Sequence, residues 1–328
     1  MTDLLHASQI SVLYPSRSDG GKEKLALNNV SLRIPEERYT IGIVGESGSG
    51  KTTLGMSLMR LIRKPGRITS GRIEYRGSNV LDFSDKELRS YRGPAISMIF
   101  QSSMNALNPV KRASDHIVEL LQDRSGIAKR ESREISEKLL SEVGLDKSHF
   151  ADFPHQMSGG MRQRVMIALS LALSPKLVIA DEPTSALDVV VQKQILALLK
   201  REIDERGLSL IYITHDLPIL YGLVQEIAVM YAGEIIEQGP SQRIFSSPLH
   251  PYTEDLLSSL LTIDTAKEAS AQATCSEIRL VTDRLHRSRA GCPYQDRCKY
   301  AFSKCRTEKP HLNEVEPGRL VSCHKYSN

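Results

Sequence analysis

The sequence predicts an α/β fold built around a parallel sheet, with a small antiparallel β subdomain and an inserted helical subdomain. Three observations carry this reading. Four short apolar runs each stop at a polar residue: Ile41 to Val44 before Gly45, Ile96 to Phe100 before Gln101, Leu177 to Ala180 before Asp181, and Leu210 to Thr214 before His215. Continuous rather than alternating apolarity marks strands covered on both faces. Helical patterns separate the runs at Lys51 to Arg63, Arg162 to Leu173 and Val189 to Arg206. Such folds gather ligand groups at strand carboxyl ends, so the polar residues that end the runs are expected to converge.

The remaining elements follow in order. Ile10 to Tyr14 and Val30 to Ile34 predict the antiparallel β subdomain, joined by the Ser/Gly/Lys-rich loop Ser16 to Lys24. Residues from about 102 to 165 are helical, polar and Pro-interrupted, and they separate two core strands, which predicts the helical insertion. Ile227 to Tyr231 and Glu234 to Glu237 flank Ala232-Gly233 as a hairpin. Beyond Ser241 the chain carries Pro248, Pro251, Pro293, Pro310 and Pro317 and is expected to form a small, irregular, cysteine-rich module. The predicted domains are therefore 1–240 and 241–328.

Composition excludes several classes. A net charge of +4 without a Lys/Arg run lacks the footprint of a nucleic-acid binder. No apolar run reaches the roughly 18 to 20 residues of a membrane span, so membrane association would come through partners. Met1 to His6 lacks the basic and apolar regions of a secretory signal, and a cytoplasmic location is expected.

Gly45-Glu46-Ser47-Gly48-Ser49-Gly50-Lys51-Thr52 follows a predicted strand, opens a predicted helix and matches G-x-x-x-x-G-K-S/T. Its glycines let backbone N–H groups turn toward phosphate oxygens at a helix N-terminus. Lys51 would reach the β- and γ-phosphates and Thr52 would ligate magnesium, with Thr53 assigned to the same nucleotide. The fold expectation sharpens to a P-loop NTPase core. Leu177 to Glu182 is a buried strand ending in adjacent carboxylates, costly unless a cation or a function compensates. Asp181 would hold magnesium and Glu182 would activate or position the attacking water.

Met157-Ser158-Gly159-Gly160-Met161-Arg162-Gln163-Arg164, with Ser158 lying 23 residues before Asp181, resembles the signature sequence of ATP-binding cassette ATPases. The usual pattern is Leu-Ser-Gly-Gly-Gln, from which Met157 and Met161 depart. The resemblance implies that Ser158, Gly159 and Gly160 contact the γ-phosphate, that Tyr14 stacks on adenine, and that Gln101 links the magnesium site to the transporter contact. It further implies that Ser185-Ala186-Leu187-Asp188 faces a partner subunit and that His215 touches the γ-phosphate. Taken singly, Tyr14 is equally a sheet-edge aromatic, Gln101 a loop amide and His215 a capping or core histidine.

Phe245 to Thr253, reading Phe-Ser-Ser-Pro-Leu-His-Pro-Tyr-Thr, resembles the segment after the cassette in oligopeptide and dipeptide importer ATPases, whose relatives also move nickel or oligosaccharides. That group often ends in a cysteine-rich module. Here Cys292, Cys298, Cys305 and Cys323 are spaced C-x5-C-x6-C-x17-C, with Cys275 a bystander. Four thiolates match a 4Fe–4S cluster or a structural Zn2+ ion. Gaps longer than the usual zinc C-x2–4-C spacing favour the cluster, as does the resemblance.

The implied function is an ATP-hydrolysing subunit that powers a membrane importer of di- or oligopeptides or related solutes, peripheral on the cytoplasmic face. Its implied ligands are ATP and Mg2+. Its implied partners are a second ATPase subunit (a homologous heterodimer, or a homodimer), two transmembrane permease subunits and, indirectly, an extracytoplasmic solute-binding protein. The alternatives are a soluble cassette ATPase without a transporter, or a metal- or redox-sensing module with a subordinate ATPase.

Overall fold

A computed structural model describes residues 3–15, 23–101, 106–185, 187–266 and 290–326. Most of the Ser16 to Lys24 loop, the start of the helical insertion at 102–105, Ala186 and Cys275 lie outside the described residues. In chain order, strands β1 (Asp3–Pro15), β2 (Glu23–Pro35) and β3 (Thr40–Val44) lead to helix α1 (Lys51–Leu58). Next come β4 (Arg67–Tyr75), β5 (Ser78–Asn79), α2 (Asp85–Tyr91) and β6 (Ile96–Ile99). Helices α3 (Ala113–Ser125), α4 (Lys129–Glu142) and α5 (Gly159–Leu171) precede β7 (Leu177–Asp181), α6 (Val189–Arg206) and β8 (Ser209–Thr214). The hairpin β9 (Glu226–Tyr231) and β10 (Glu234–Pro240) is followed by α7 (Ser241–Ser246), α8 (Pro251–Ala266), α9 (Ser303–Thr307), β11 (Asn313–Glu316) and β12 (Arg319–Val321).

The chain divides into two compact units. One comprises Met1–Leu5, Ile34–Thr40 and Glu74–Ile213. Its strands run in parallel order β8-β7-β6, with Ile96 opposite Leu177 and Leu177 opposite Ser209. Every residue of β6 and β7 is buried, as their solid apolar runs require. Helices α3 and α4 stand between β6 and β7 in sequence and pack on each other, and both touch α5. Small residues allow this close packing: buried Ser136 on α4 donates from its hydroxyl to the Ser114 carbonyl of α3 at 3.0 Å.

The other unit comprises His6–Arg33, Ile41–Ile73 and Thr214–Asn328. Its sheet is mixed: β9 runs parallel to β3 and antiparallel to β10, and β10 pairs antiparallel with β12. A separate sheet places β1 between β2 and β4. Among the described residues of the chain, no helix is long and apolar enough to cross a membrane.

Three expectations change. Helix α1 stops at Leu58 instead of Arg63, because Met59 caps it and Arg60 turns to a φ of 50°. Helix α5 starts at Gly159, three residues earlier than the apolar pattern suggests, because Ser158 caps it. The separate irregular module expected after Ser241 is not present among the described residues. Instead β12 adds to the edge of β10, and β11 pairs with β12. Two of the prolines that suggested irregularity sit at element boundaries: Pro251 opens α8, where its missing N–H costs nothing, and Pro317 lies in the β11–β12 turn.

A buried ion pair fastens this edge. Glu237 of β10, fully buried, accepts from the main-chain N–H groups of Leu249 (2.8 Å) and His250 (2.9 Å). It also faces the equally buried Arg319 of β12 at 3.4 Å. The Arg319 guanidinium donates in addition to the Ser247 carbonyl at 2.6 Å. Glu316 pairs with the same guanidinium at 3.2 Å, so that of its nitrogens Nε alone finds no partner among the described residues; buried charge is tolerable only when most of its hydrogen-bonding capacity is met.

Candidate active site

The phosphate loop lies between β3 and α1. Gly50 caps α1 with a φ of 104°, and a Cβ there would fall 2.6 Å from the Ala26 carbonyl, so only glycine fits. Ser47 and Gly48 form the exposed tip, whereas Ser49 is buried. Lys51 is 6% exposed, and its ammonium donates to the carbonyls of Gly45 (2.8 Å) and Glu46 (2.9 Å). The cation is thereby held at the centre of the loop. Thr52 is exposed and Thr53 half-buried in the first turn of α1, where a helix N-terminus favours anions. The loop fits a polyphosphate. Also in this unit, Tyr14 is half-buried near the end of β1 with its ring against Gly66, and His215 is exposed just after β8.

The carboxylates sit in the other unit. Strand β7 ends at Asp181, only 1% exposed, and the next residue, Glu182, adopts a left-handed φ of 45°. A non-glycine residue there is strained, and such strain is typical of functional turns. The Glu182 N–H donates to the Ile213 carbonyl at 2.9 Å, anchoring the turn to β8. The Gln101 side-chain amide, just beyond β6, donates to the Glu182 carboxylate at 2.7 Å. Two residues singled out from distant strand ends thus meet.

Ser158 caps α5, its hydroxyl accepting from the Met161 N–H at 3.3 Å, and Gly159 and Gly160 form the first turn. A Cβ on Gly160 would fall 2.7 Å from the Val191 side chain, so the start of α6 packs too closely for any larger residue. Asp188 caps α6 by accepting from the N–H groups of Val190 (3.0 Å) and Val191 (2.9 Å).

Cys292, Cys298, Cys305 and Cys323 line a single cavity with His250, Tyr294, Phe302 and His324. Burial pushes the Cys292 thiol up to about 11, reinforced by the other three cysteines and opposed by a main-chain hydrogen bond at Tyr294. Among the described residues, however, no group of three or more His, Cys, Asp or Glu side chains is placed to hold a metal ion. The expected Zn2+ alternative is not met by this arrangement, and the arrangement lends no support to a 4Fe–4S cluster. What the fold gives is narrower: four thiols facing one cavity. Sequence reasoning missed Tyr252 and Arg297, which contact Glu46 of the phosphate loop from positions 206 and 251 residues away. No local pattern announces either.

Comparison with known proteins agrees with this description. A family profile described as ABC transporter matches residues 27–185, and one described as Oligopeptide/dipeptide transporter, C-terminal region, matches residues 236–305. The dipeptide transport ATP-binding protein DppD of Escherichia coli (strain K12) is 39% identical, over 98% of this chain and 96% of that protein. The oligopeptide transport ATP-binding protein OppD of the same organism is 40% identical, over 98% and 93%. Among solved structures, the ATP-binding cassette MJ0796, a dimer in a post-hydrolysis state bound to ADP and Pi, is similar with a TM-score of 0.64 and 29% identity, over 72% of this chain and 98% of that one. A glycine loop around a buried lysine, a strand ending in Asp181 with Glu182 next to it, and likeness to DppD and OppD over nearly the whole chain lead to one conclusion: the chain belongs to the ABC transporter family, as one of its oligopeptide/dipeptide-type ATP-binding proteins.

Proposed function

We propose that the chain is the ATP-binding and ATP-hydrolysing subunit of a membrane importer of di- or oligopeptides or related small solutes. The observation that carries this reading is the likeness to DppD and OppD along nearly the whole chain, tail included. Residues 1–240 act as the cassette and 241–328 as an importer-type extension. Loop amides from among residues 45–52, other than the Glu46 N–H that Tyr252 holds, and the Lys51 ammonium bind the β- and γ-phosphates, and Tyr14 takes the adenine face. Thr52, Gln101 and Asp181 are the residues that would hold magnesium, which neutralises phosphate charge when bound. Glu182 accepts a proton from, or orients, the attacking water, and His215 donates toward the γ-phosphate.

Ser158, Gly159 and Gly160 act on the nucleotide of a second subunit, which Asp188 faces, so that ATP joins two cassettes head to tail. Closure then moves two permease subunits docked at the membrane's cytoplasmic face, a population shift driven by ATP's greater affinity for the closed state. Tagged protein recovered from native membranes tests the reading. Two permease subunits and a second ATPase subunit are expected with it, and recovery with soluble proteins alone contradicts a transport role.

For the four cysteines the reading is a 4Fe–4S cluster, resting on their C-x5-C-x6-C-x17-C spacing, whose gaps exceed those usual for zinc, and on the resemblance of the tail. Four separated thiolates suit a cluster that offers one iron to each. Anaerobic purification should yield brown protein with iron and sulfide in equal amounts. Colourless protein with stoichiometric zinc, or with no metal, contradicts it.

A further inference from the structure

The second residue of the phosphate loop is an acid. Glu46 stands on the same loop that must take up a polyphosphate, and like charges on one small loop oppose each other. The fold answers this from outside the cassette core. The Arg297 guanidinium meets both Glu46 carboxylate oxygens, at 2.9 and 3.0 Å. The Glu46 main-chain N–H donates to the Tyr252 hydroxyl at 2.8 Å. Both partners come from the C-terminal extension.

Arg297 is itself held in place. Its guanidinium lies 5.4 Å from the Tyr294 ring centre, and Tyr294 packs against Tyr231 (5.3 Å) and Tyr252 (5.4 Å). The Tyr294 hydroxyl donates to Asp255 of α8, and Lys299 pairs with Glu254 at 3.2 Å. Burial works against the Arg297 charge, but the hydrogen bond and ion pair with Glu46 outweigh it and hold its pKa above the usual arginine value. The neighbouring Cys298 lines the four-cysteine cavity, as does Tyr294.

We propose that Arg297 is a positioning residue for ATP: the extension carries a cation to the phosphate loop, neutralises Glu46 and so sets the loop's affinity for nucleotide. Tyr252 fixes the Glu46 peptide so that its carboxylate meets that cation. The proposal rests on residues 45–52 being the ATP loop, and it gives the extension a part in the ATPase site itself.

A double-mutant cycle on the full-length chain tests it, with binding of ATP and of a slowly hydrolysed ATP analogue measured beside steady-state kinetics. Arg297→Ala should weaken nucleotide binding about fivefold and raise KM for ATP, with kcat at saturating ATP within about twofold. Glu46→Gln should tighten binding, because Arg297 then faces the phosphates without a counter-charge. Adding Glu46→Gln to Arg297→Ala should restore near wild-type affinity, and Arg297→Lys should retain most of it. A variant whose extension had merely come apart would not be rescued at Glu46, so rescue separates charge compensation from folding damage. Unchanged affinity in Arg297→Ala, or losses that no Glu46 substitution relieves, overturns the proposal. Wild-type protein that binds ATP no better than Lys51→Ala would instead overturn the assignment of the loop.

Discussion

Glu182 and Gln101 show what a single side chain is asked to do. The left-handed turn at Glu182 projects the carboxylate just past the buried Asp181, and the Gln101 amide holds it at 2.7 Å. Glu182→Gln keeps the phosphate loop and removes the group proposed to take the water's proton. ATP affinity should stay within about twofold while turnover falls about 100- to 1000-fold. Equilibrium binding and phosphate release on the same preparation check this, and near-normal turnover removes Glu182 from the role. The loop and the carboxylate pair were legible in the sequence because each is a contiguous string whose chemistry is complete locally. The Gln101–Glu182 contact spans 81 residues and follows only from strand order. In the sequence Glu46 is merely a loop position, because its meaning depends on Arg297, 251 residues away.

At the scale of elements, the described part of the extension is fastened by buried polar groups beside its Tyr252–Tyr294 aromatic contact. Glu237→Ala removes the acceptor for two main-chain N–H groups and leaves the Arg319 charge, 3% exposed, with only the exposed Glu316 as a carboxylate partner. Stability should fall by about 3 to 5 kcal/mol, and protease should cut within residues 290–326. Denaturant melts and limited proteolysis measure both, and wild-type behaviour contradicts the fastening. His250 adds a pH dependence. Burial lowers its pKa from 6.5 to about 4 although Asp255 favours the charged form, and its Nδ1 accepts from the Tyr252 N–H at 3.0 Å. The folded state keeps the ring neutral while the unfolded chain protonates it below pH 6.5. This contribution is therefore intact above pH 6.5 and lost as pH falls toward 4, worth about 3 kcal/mol over that window. His250→Asn should flatten the acid limb of the stability profile, and identical slopes contradict the assignment. Buried strands were legible as solid apolar runs. Strands β4, β11 and β12 were not: β4 and β11 bury almost nothing and are poor in apolar residues, and β12 is only three residues long.

For the whole molecule, the account requires two chains to share each ATP. In a mixture of separately tagged subunits, Ser158→Arg should silence the site whose phosphate loop belongs to the partner, so Ser158→Arg and Lys51→Ala in different chains leave one site intact. A pairing pattern in which Ser158 and Lys51 of one chain serve the same nucleotide contradicts the sandwich. Transport remains the central claim, and uptake of a radiolabelled di- or tripeptide measures it most directly. Source cells lacking this chain should lose energy-dependent uptake and regain it with the wild-type chain, while an equal amount of the Glu182→Gln chain should leave them unable to accumulate peptide. Uptake of peptides and related small solutes that is unchanged without the chain, or restored equally well by Glu182→Gln, would contradict the account.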